Sequence, residues 1–247
     1  LWIPDFQHHY LSKFFSKKEI VHRNRKFRKI FNNPSVLVLS SEDCRKDLNK
    51  FYGERKNKIF VLNFRANLKK DLLEKNPNDI LNKYKLPQKF FIISNQFWRH
   101  KNHLLVFKSL SYLKNKYHVK PNLVLTGKLL YDDSAFAKEI INYIKKLEIN
   151  SQIFILGLIP KEDQFLLMRK SLAIIQPSLF EGWSTIVEEA RSIGKTIILS
   201  DLDVHKEQNF SKSIFFKRDS YKDLSSKLLN TYKDLNPGPN LDDEKNF

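Results

Sequence analysis

PSLFEGWSTIVEEARSIGK, residues Pro177 to Lys195, lies between two short apolar runs, Leu172–Ile175 and Thr196–Leu199. Each run has the length of a buried strand rather than of a helix. Between them Pro177, Glu181 and Gly182 make a turn, a helix is expected from Ser184 or Thr185, and Gly194 closes it. This is a strand–loop–helix–strand unit of a parallel sheet, with carboxylates at the hinge where such sheets present ligands. Glu181 precedes the helix and Glu189 lies inside it.

The expected helix start gives each polar residue a separate role. With Thr185 as cap, Glu188 completes a Thr-x-x-Glu capping box. Glu189, about 100° further round the helix, is left for a ligand. The unpaired amides of Gly182, Trp183, Ser184 and Thr185 face outward at the positive end of the helix dipole, which suits a phosphate. Gly182 spares a Cβ at the point of approach. A carboxylate within the first turns accepts hydrogen bonds from a ribose diol, and Glu181 is placed to accept from hydroxyls of whatever the phosphate carries. Two exposed glutamates favoured by the dipole alone would show the same spacing.

The β–α alternation extends on both sides. Ser35–Ser40 reads as a strand, Ser41 caps a helix to about Tyr52 that Gly53 closes, and Ile59–Phe64 reads as the next strand. From Arg65 to Gln88 the pattern weakens around two prolines, as in a linker. It restarts with strand Phe90–Ser94, a helix from about Asn102 to Lys116, strand Asn122–Thr126 and a polar break at Tyr131–Ser134. A helix over Ser134–Leu147, strand Ile153–Leu156 and a helix over Lys161–Lys170 lead into the central unit. Ile214–Phe216 and a helix near Tyr221–Tyr232 follow it. The fold class is α/β, doubly wound. The expected divisions are 1–75, 76–235 and a polar tail, 236–247.

The loop Asn95–His103 leaves a strand's carboxyl end and opens on the same side as the glutamates. Arg99 and Lys101 there suit a diphosphate, Arg as a planar fork and Lys as a point charge. A basic surface loop with Phe97 and Trp98 tucked against the sheet is the alternative. His100 and His103 lack a third ligand and read as polar helix-start residues, so no metal site is expected. Asp201-Leu202-Asp203 begins a loop rather than a metal site. Gly127 and Gly157 each end a strand alone, without a dinucleotide or P-loop pattern. Ser178 and Ser184 lack a nucleophile elbow.

Composition narrows the partners. The 247 residues are 41% hydrophobic and 29% charged, enough for one large or two modest cores. A single cysteine, Cys44, rules out an intramolecular disulfide and suits a reducing, cytoplasmic compartment. No apolar run approaches the roughly 20 residues of a membrane span. The start, LWIPDFQHHYL, lacks the features of a signal peptide and an initiating Met, and is read as the beginning of an excised or incomplete chain. The net charge of +17 attracts anionic partners. Its bland source is a Lys- and Asn-rich bias on solvated faces. An anionic membrane surface is the next reading, ahead of nucleic acid, for which no zinc-finger, bZIP or RNP1 signature is present.

With these residues in view, the chain resembles retaining glycosyltransferases of the GT-B fold, in the large family-4 group that builds bacterial polysaccharides and glycolipids. PSLFEGWSTIVEEARSIGK is similar to that group's Glu-x7-Glu signature, with Glu181 and Glu189 as its acids. SNQFWRHKNHLL resembles the loop carrying its donor-phosphate lysine, here Lys101. IFILGLIPKEDQFLLMRKS and ILSDLDVHKEQ resemble the flanking segments. WIPDFQHHYLSKFFS and VLVLSSEDCRKDL resemble the second half of an acceptor-side domain. The resemblance implies two Rossmann-like domains, the first only partly present. It also implies transfer of a sugar from a nucleotide sugar to a glycan or lipid-linked acceptor, with retention and without a metal or other cofactor. By this analogy Lys101 and the amides of Gly182–Thr185 hold the diphosphate, Glu189 the ribose and Glu181 the sugar. Surface-polysaccharide or lipopolysaccharide synthesis on the inner membrane face is the implied setting.

Two departures stand out. Gln96 and Asn95 occupy the places where many relatives carry an Arg, and Arg99 is the candidate replacement. Pro4-Asp5 stands where many relatives have His-Asp, and His8 or His9 is expected to approach that region instead. A nucleotide-sugar 2-epimerase of the same fold and a nucleotide-binding module without turnover are the rival readings.

Overall fold

A computed structural model describes residues 1–54, 58–66, 71–129, 135–239 and 244. The polar break at 131–134 and the tail positions 240–243 and 245–247 lie outside the described residues.

Short apolar segments pair into two parallel sheets. In the first, β1 (Trp2–Ile3), β2 (Leu37–Leu39) and β3 (Ile59–Val61) lie in that order. Helices α1 (Gln7–Tyr10), α2 (Lys17–Phe31) and α3 (Glu42–Tyr52) accompany them. Ser16 and Glu19 form a capping box at α2. Ser41 accepts from the Cys44 amide at 2.9 Å to start α3, and Gly53, at φ 88°, ends it. Ile3, Phe6, Phe27, Leu37, Leu39 and Leu48 form a small core.

The second sheet contains β4 (Phe90–Ser94), β5 (Asn122–Thr126), β6 (Ile153–Gly157), β7 (Ile174–Gln176), β8 (Ile197–Ser200) and β9 (Ser213–Phe216). Its order is β6-β5-β4-β7-β8-β9, parallel throughout. Around it lie α4 (Asp71–Glu74), α5 (Asp79–Tyr84), α6 (His103–Tyr117), α7 (Ala135–Lys146), α8 (Lys161–Lys170), α9 (Thr185–Ser192), α10 (Asp203–Glu207) and α11 (Tyr221–Asp234). Alternate residues of β4 serve opposite faces. Phe91 and Ile93 pack with residues of α6, α7 and α11, whereas Phe90 and Ile92 pack with α5, α8 and α9. Burial on both faces explains the unbroken apolar runs in the sequence. The strand order reverses between β4 and β7, and the loops leaving their carboxyl ends diverge there into a crevice.

The boundaries differ from those expected at two places. Residues of α4, assigned by sequence to the first unit, pack on the second: Arg169 of α8 donates to the carbonyls of Leu72, Leu73 and Lys75, each at 2.8 Å. A buried guanidinium must find such acceptors. Glu244, assigned to a polar tail, accepts from Arg169 Nε at 2.7 Å and Nη2 at 3.0 Å.

The units meet through the loop after β7 and through α10. Phe180 stacks on Tyr10 with centroids 5.4 Å apart, and the Trp183 indole donates to the Phe64 carbonyl at 2.9 Å. Glu207 of α10 accepts from the Glu42 and Asp43 amides at 2.8 and 3.1 Å, capping α3 from the other unit. Among the described residues no helix is long and apolar enough to cross a membrane.

Candidate functional site

The crevice between the β4 and β7 loops is a cleft of about 540 Å³. Gln176, the last residue of β7, is fully buried beneath it. Its carbonyl oxygen accepts from Asn95 Nδ2 at 2.5 Å, and its Nε2 lies 2.9 Å from Glu181 Oε1 and 3.0 Å from Ser184 Oγ. A buried amide requires partners, and this one finds them in both loops, tying the two sides of the switch point together.

Lys101 ends a single 3-10 turn, Arg99–Lys101, after which Asn102 at φ 57° redirects the chain into α6. Its Nζ donates to Glu181 Oε1 at 2.6 Å, with the side chains 17% and 11% exposed. Burial pushes the Glu181 carboxyl up, but the Lys101 charge and hydrogen bonds from Lys101 and Ser178 outweigh it and hold the group below its ordinary value. Glu181 is therefore ionised at neutral pH.

Glu189 lies on the same cleft, 5% exposed. It pairs with Lys161, the first residue of α8, and accepts from Gln164 Nε2 at 3.3 Å. Neither partner is singled out by the sequence reading. The available signal is a cation in the first turn of a helix, where the dipole disfavours it.

The start of α9 departs from expectation. Ser184, not Thr185, is the N-cap, and its side chain makes no cap bond. Its amide donates to Gln208 Oε1 at 2.9 Å, so it is already engaged. Of the residues around the helix start, Trp183, Thr185 and Ile186 line the cleft as well. Glu188 forms no capping box. It is 1% exposed and accepts from Gln208 Nε2 at 2.9 Å and Arg65 Nη1 at 2.8 Å. Gly182 is required for another reason than ligand approach: a Cβ there would overlap the Pro4 carbonyl oxygen and Asp5 Cβ. It lets the loop dock against the first unit. Trp183 lines the cleft while its indole N–H is spent on Phe64.

Three other candidates lie elsewhere. Arg99 does not face this cleft; its Nη2 donates to Glu139 at 2.7 Å and its guanidinium lies over Phe136. His8 is buried with Nε2 2.9 Å from Asn24 Oδ1, and His9 stacks on Phe51 at 4.0 Å, so both pack within the first unit. Tyr10, next to them in sequence, does reach the loop after β7, where it stacks on Phe180. His103 is a helix-start residue, the first of α6, and it is buried there, 1% exposed and stacked on Phe97. Asp201 accepts from the Arg218 amide at 3.0 Å, and Asp203 pairs with Lys206. Among the described residues no group of three His, Cys, Asp or Glu side chains is arranged to hold a metal ion.

The cleft thus sets a lysine and an open helix end beside two carboxylates at a switch point. This arrangement suits a diphosphate with hydroxyl-bearing groups at either end. The family model described as "Glycosyl transferases group 1" matches residues 77–238, more than half of the chain. No curated protein matches the sequence. WaaG, a glycosyltransferase involved in lipopolysaccharide biosynthesis, is similar in structure at 14% identity and TM-score 0.76, over 94% of this chain and 65% of WaaG. Anabaena Alr3699/HepE in complex with UDP and glucose is similar at 15% identity and TM-score 0.75, over 94% and 61%. Sucrose-phosphate synthase from Thermosynechococcus elongatus is similar at 14% and 0.74, over 89% and 55%. The chain therefore spans about 55–65% of the length of these proteins. At such identities the likeness is one of fold, the two-unit parallel α/β arrangement called GT-B.

Proposed function

The chain belongs to the glycosyl transferases group 1 family, and on that premise we propose that it moves a sugar from a nucleotide-sugar donor to a glycan or lipid-linked acceptor with retention of configuration. The observation that carries this reading is the Lys101–Glu181 pair at 2.6 Å beside the open end of α9, with Glu189 in the same cleft. The donor diphosphate lies against Lys101 and the Thr185 and Ile186 amides. Glu189, paired with Lys161, takes the ribose diol. Glu181 faces the sugar, and the exposed Leu158 with Ile159 offers an apolar wall for the base.

In the transfer the bond between the anomeric carbon and the phosphate oxygen breaks, and both electrons leave with the diphosphate. Lys101 Nζ and the two amides are fixed where that charge develops, the arrangement that stabilises a leaving group most. The acceptor oxygen attacks the face the diphosphate leaves, and its proton passes to the departing phosphate oxygen. Glu181 offsets positive charge on the sugar. The cationic work falls to Lys101 and the helix end, with no resident metal.

The setting is the cytoplasmic face of a membrane, in surface-polysaccharide or lipopolysaccharide synthesis. The lone thiol suits a reducing compartment, and α2 exposes Lys17, Lys18, Arg25, Lys26, Arg28 and Lys29. Such residues gain about 1 kcal/mol each near an anionic lipid surface. Calorimetry with UDP and GDP, followed by transfer assays with labelled nucleotide sugars, tests the reading. Binding of neither nucleotide, or an epimerised donor formed without acceptor, would overturn it. Equal sedimentation with neutral and anionic vesicles would remove the membrane component.

A further inference from the structure

Beside the donor cleft the two units enclose a second cavity of about 590 Å³, and Trp98 and His100 line both spaces. Its cations come from three separate segments: Lys13 before α2, Arg23 within α2, and Arg99 in the loop after β4. Each lies over an aromatic ring. Lys13 Nζ is 5.2 Å from the Phe14 centroid, Arg23 Cζ 4.8 Å from Phe15, and Arg99 Cζ 4.4 Å from Phe136. An aromatic face steadies a cation while leaving its N–H donors for another partner.

These cations outnumber the carboxylates on the cavity wall. Glu19 is the one acidic residue among the described lining, and its Oε2 is occupied by the Ser16 amide and hydroxyl, both at 2.7 Å. Arg23 has Asp5 at 4.0 Å and the charge of Glu19 one helical turn away, and Arg99 meets Glu139 at an exposed site. On the other side of Glu181 lies a cavity of about 650 Å³ of mixed charge, lined by Asp43, Asp47, Asp201, Asp203 and Asp219 and by Lys13, Lys217 and Arg218. The first cavity, with three cations to one carboxylate, is the one that attracts an anion entering beside the donor. Trp98, 44% exposed and held by its indole hydrogen bond to Gln96 Oε1 at 2.8 Å, presents a fixed aromatic face where the basic cavity joins the donor cleft.

We propose that this basic, aromatic cavity receives the acceptor, and that the acceptor is an anionic sugar. Its phosphate or carboxylate is held by Lys13, Arg23 and Arg99, and its ring lies against Trp98, which brings a hydroxyl toward the donor cleft. The inference rests on the donor-cleft reading above and names the substrate class that the neighbouring space selects. It also gives a role to Arg99, which lines this cavity and not the donor cleft.

Calorimetry on the full chain saturated with UDP, using glucose 6-phosphate, glucuronate, glucose and inorganic phosphate as probes, tests this. At least one anionic sugar is expected to bind about tenfold tighter than glucose and than inorganic phosphate, from charge-assisted bonds to the cations. Preference for glucose 6-phosphate or for glucuronate identifies the anionic group. Lys13→Ala and Arg23→Ala are each expected to weaken that binding about five- to tenfold and to leave UDP affinity and melting temperature unchanged. Equal affinity for glucose and both anionic sugars overturns the proposal, as does displacement of the sugar phosphate by UDP. Inorganic phosphate binding as tightly as the sugar phosphate reduces the site to an adventitious anion and also overturns it. Intact UDP binding in those cases leaves the donor reading standing. Loss of UDP binding with retained anionic-sugar selectivity would sink the donor reading instead.

Discussion

Lys101 Nζ and Glu181 Oε1 lie 2.6 Å apart, and they come from loops on opposite sides of the β4–β7 reversal. The pair does two things at once. It neutralises a nearly buried lysine while the cleft is empty, and it fastens the phosphate-binding loop to the glutamate loop. A donor diphosphate arriving at Lys101 competes with Glu181 for the same ammonium. Removing either partner therefore has opposite consequences for ground-state binding.

Lys101→Ala should lower transfer by about 10²–10³-fold, the usual cost of removing one fixed donor from a developing anion. UDP affinity should fall as well. Glu181→Gln should instead raise UDP affinity severalfold, because the ammonium is released, while turnover drops. Calorimetry and transfer rates on both variants check this. A Glu181→Gln protein that binds UDP more weakly than the parent would show that the two groups do not compete.

Gly182→Ala separates packing from ligand approach. The added Cβ meets Pro4 and Asp5 of the first unit, and such overpacking costs about 1–3 kcal/mol. At about 2–4 °C per kcal/mol for a chain of this size, the melting temperature should drop by several degrees. UDP affinity of the folded protein should not change. Reduced UDP affinity at an unchanged melting temperature would return Gly182 to the phosphate site.

Gln208→Leu tests what holds the start of α9. Gln208 accepts from the Ser184 amide and donates to the Ser184 carbonyl at 3.0 Å and to Glu188 Oε1 at 2.9 Å. Leucine would leave buried groups unpaired, at about 1–3 kcal/mol each. Both urea midpoint and UDP affinity should fall, because Thr185 and Ile186 lose their support. A stable variant with unaltered UDP affinity would remove the helix start from the site.

These contacts mark the limit of what the sequence discloses. Ser41 and Gly53 are legible because capping is local, and Phe90–Ser94 because a strand buried on both faces is continuously apolar. That Glu181, Glu189 and Lys101 share one cleft is legible because the hinges of a parallel sheet fall at predictable places. Glu188 is misread because the capping-box pattern is local, whereas its partners Gln208 and Arg65 stand 20 and 123 residues away. The docking of Gly182 against Pro4 is hidden for the same reason, since Pro4 shares no pattern with it. Arg99 and Lys101 look equivalent two residues apart, yet a single 3-10 turn sends them into different cavities.

His103 makes stability sensitive to acid. It is stacked on Phe97 with centroids 4.5 Å apart, and neither ring nitrogen has a hydrogen-bond partner among the described residues. Burial first, then the Lys101 charge, pushes its pKa from 6.5 down to about 3. Between those values the unfolded chain takes up a proton that the folded one refuses. Stability is therefore fully present above about pH 6.5 and falls with decreasing pH, by up to about 1.4 kcal/mol per unit for this group. His100, pushed down to about 4 chiefly by burial, and His205, lowered by burial, act in the same direction. His103→Leu removes one contribution together with two unpaired buried nitrogens. Urea midpoints of the parent and of His103→Leu should agree within a small margin at pH 7.5 and diverge in favour of leucine between pH 6 and 4. Parallel curves across that range would show that the imidazole is protonated within the fold.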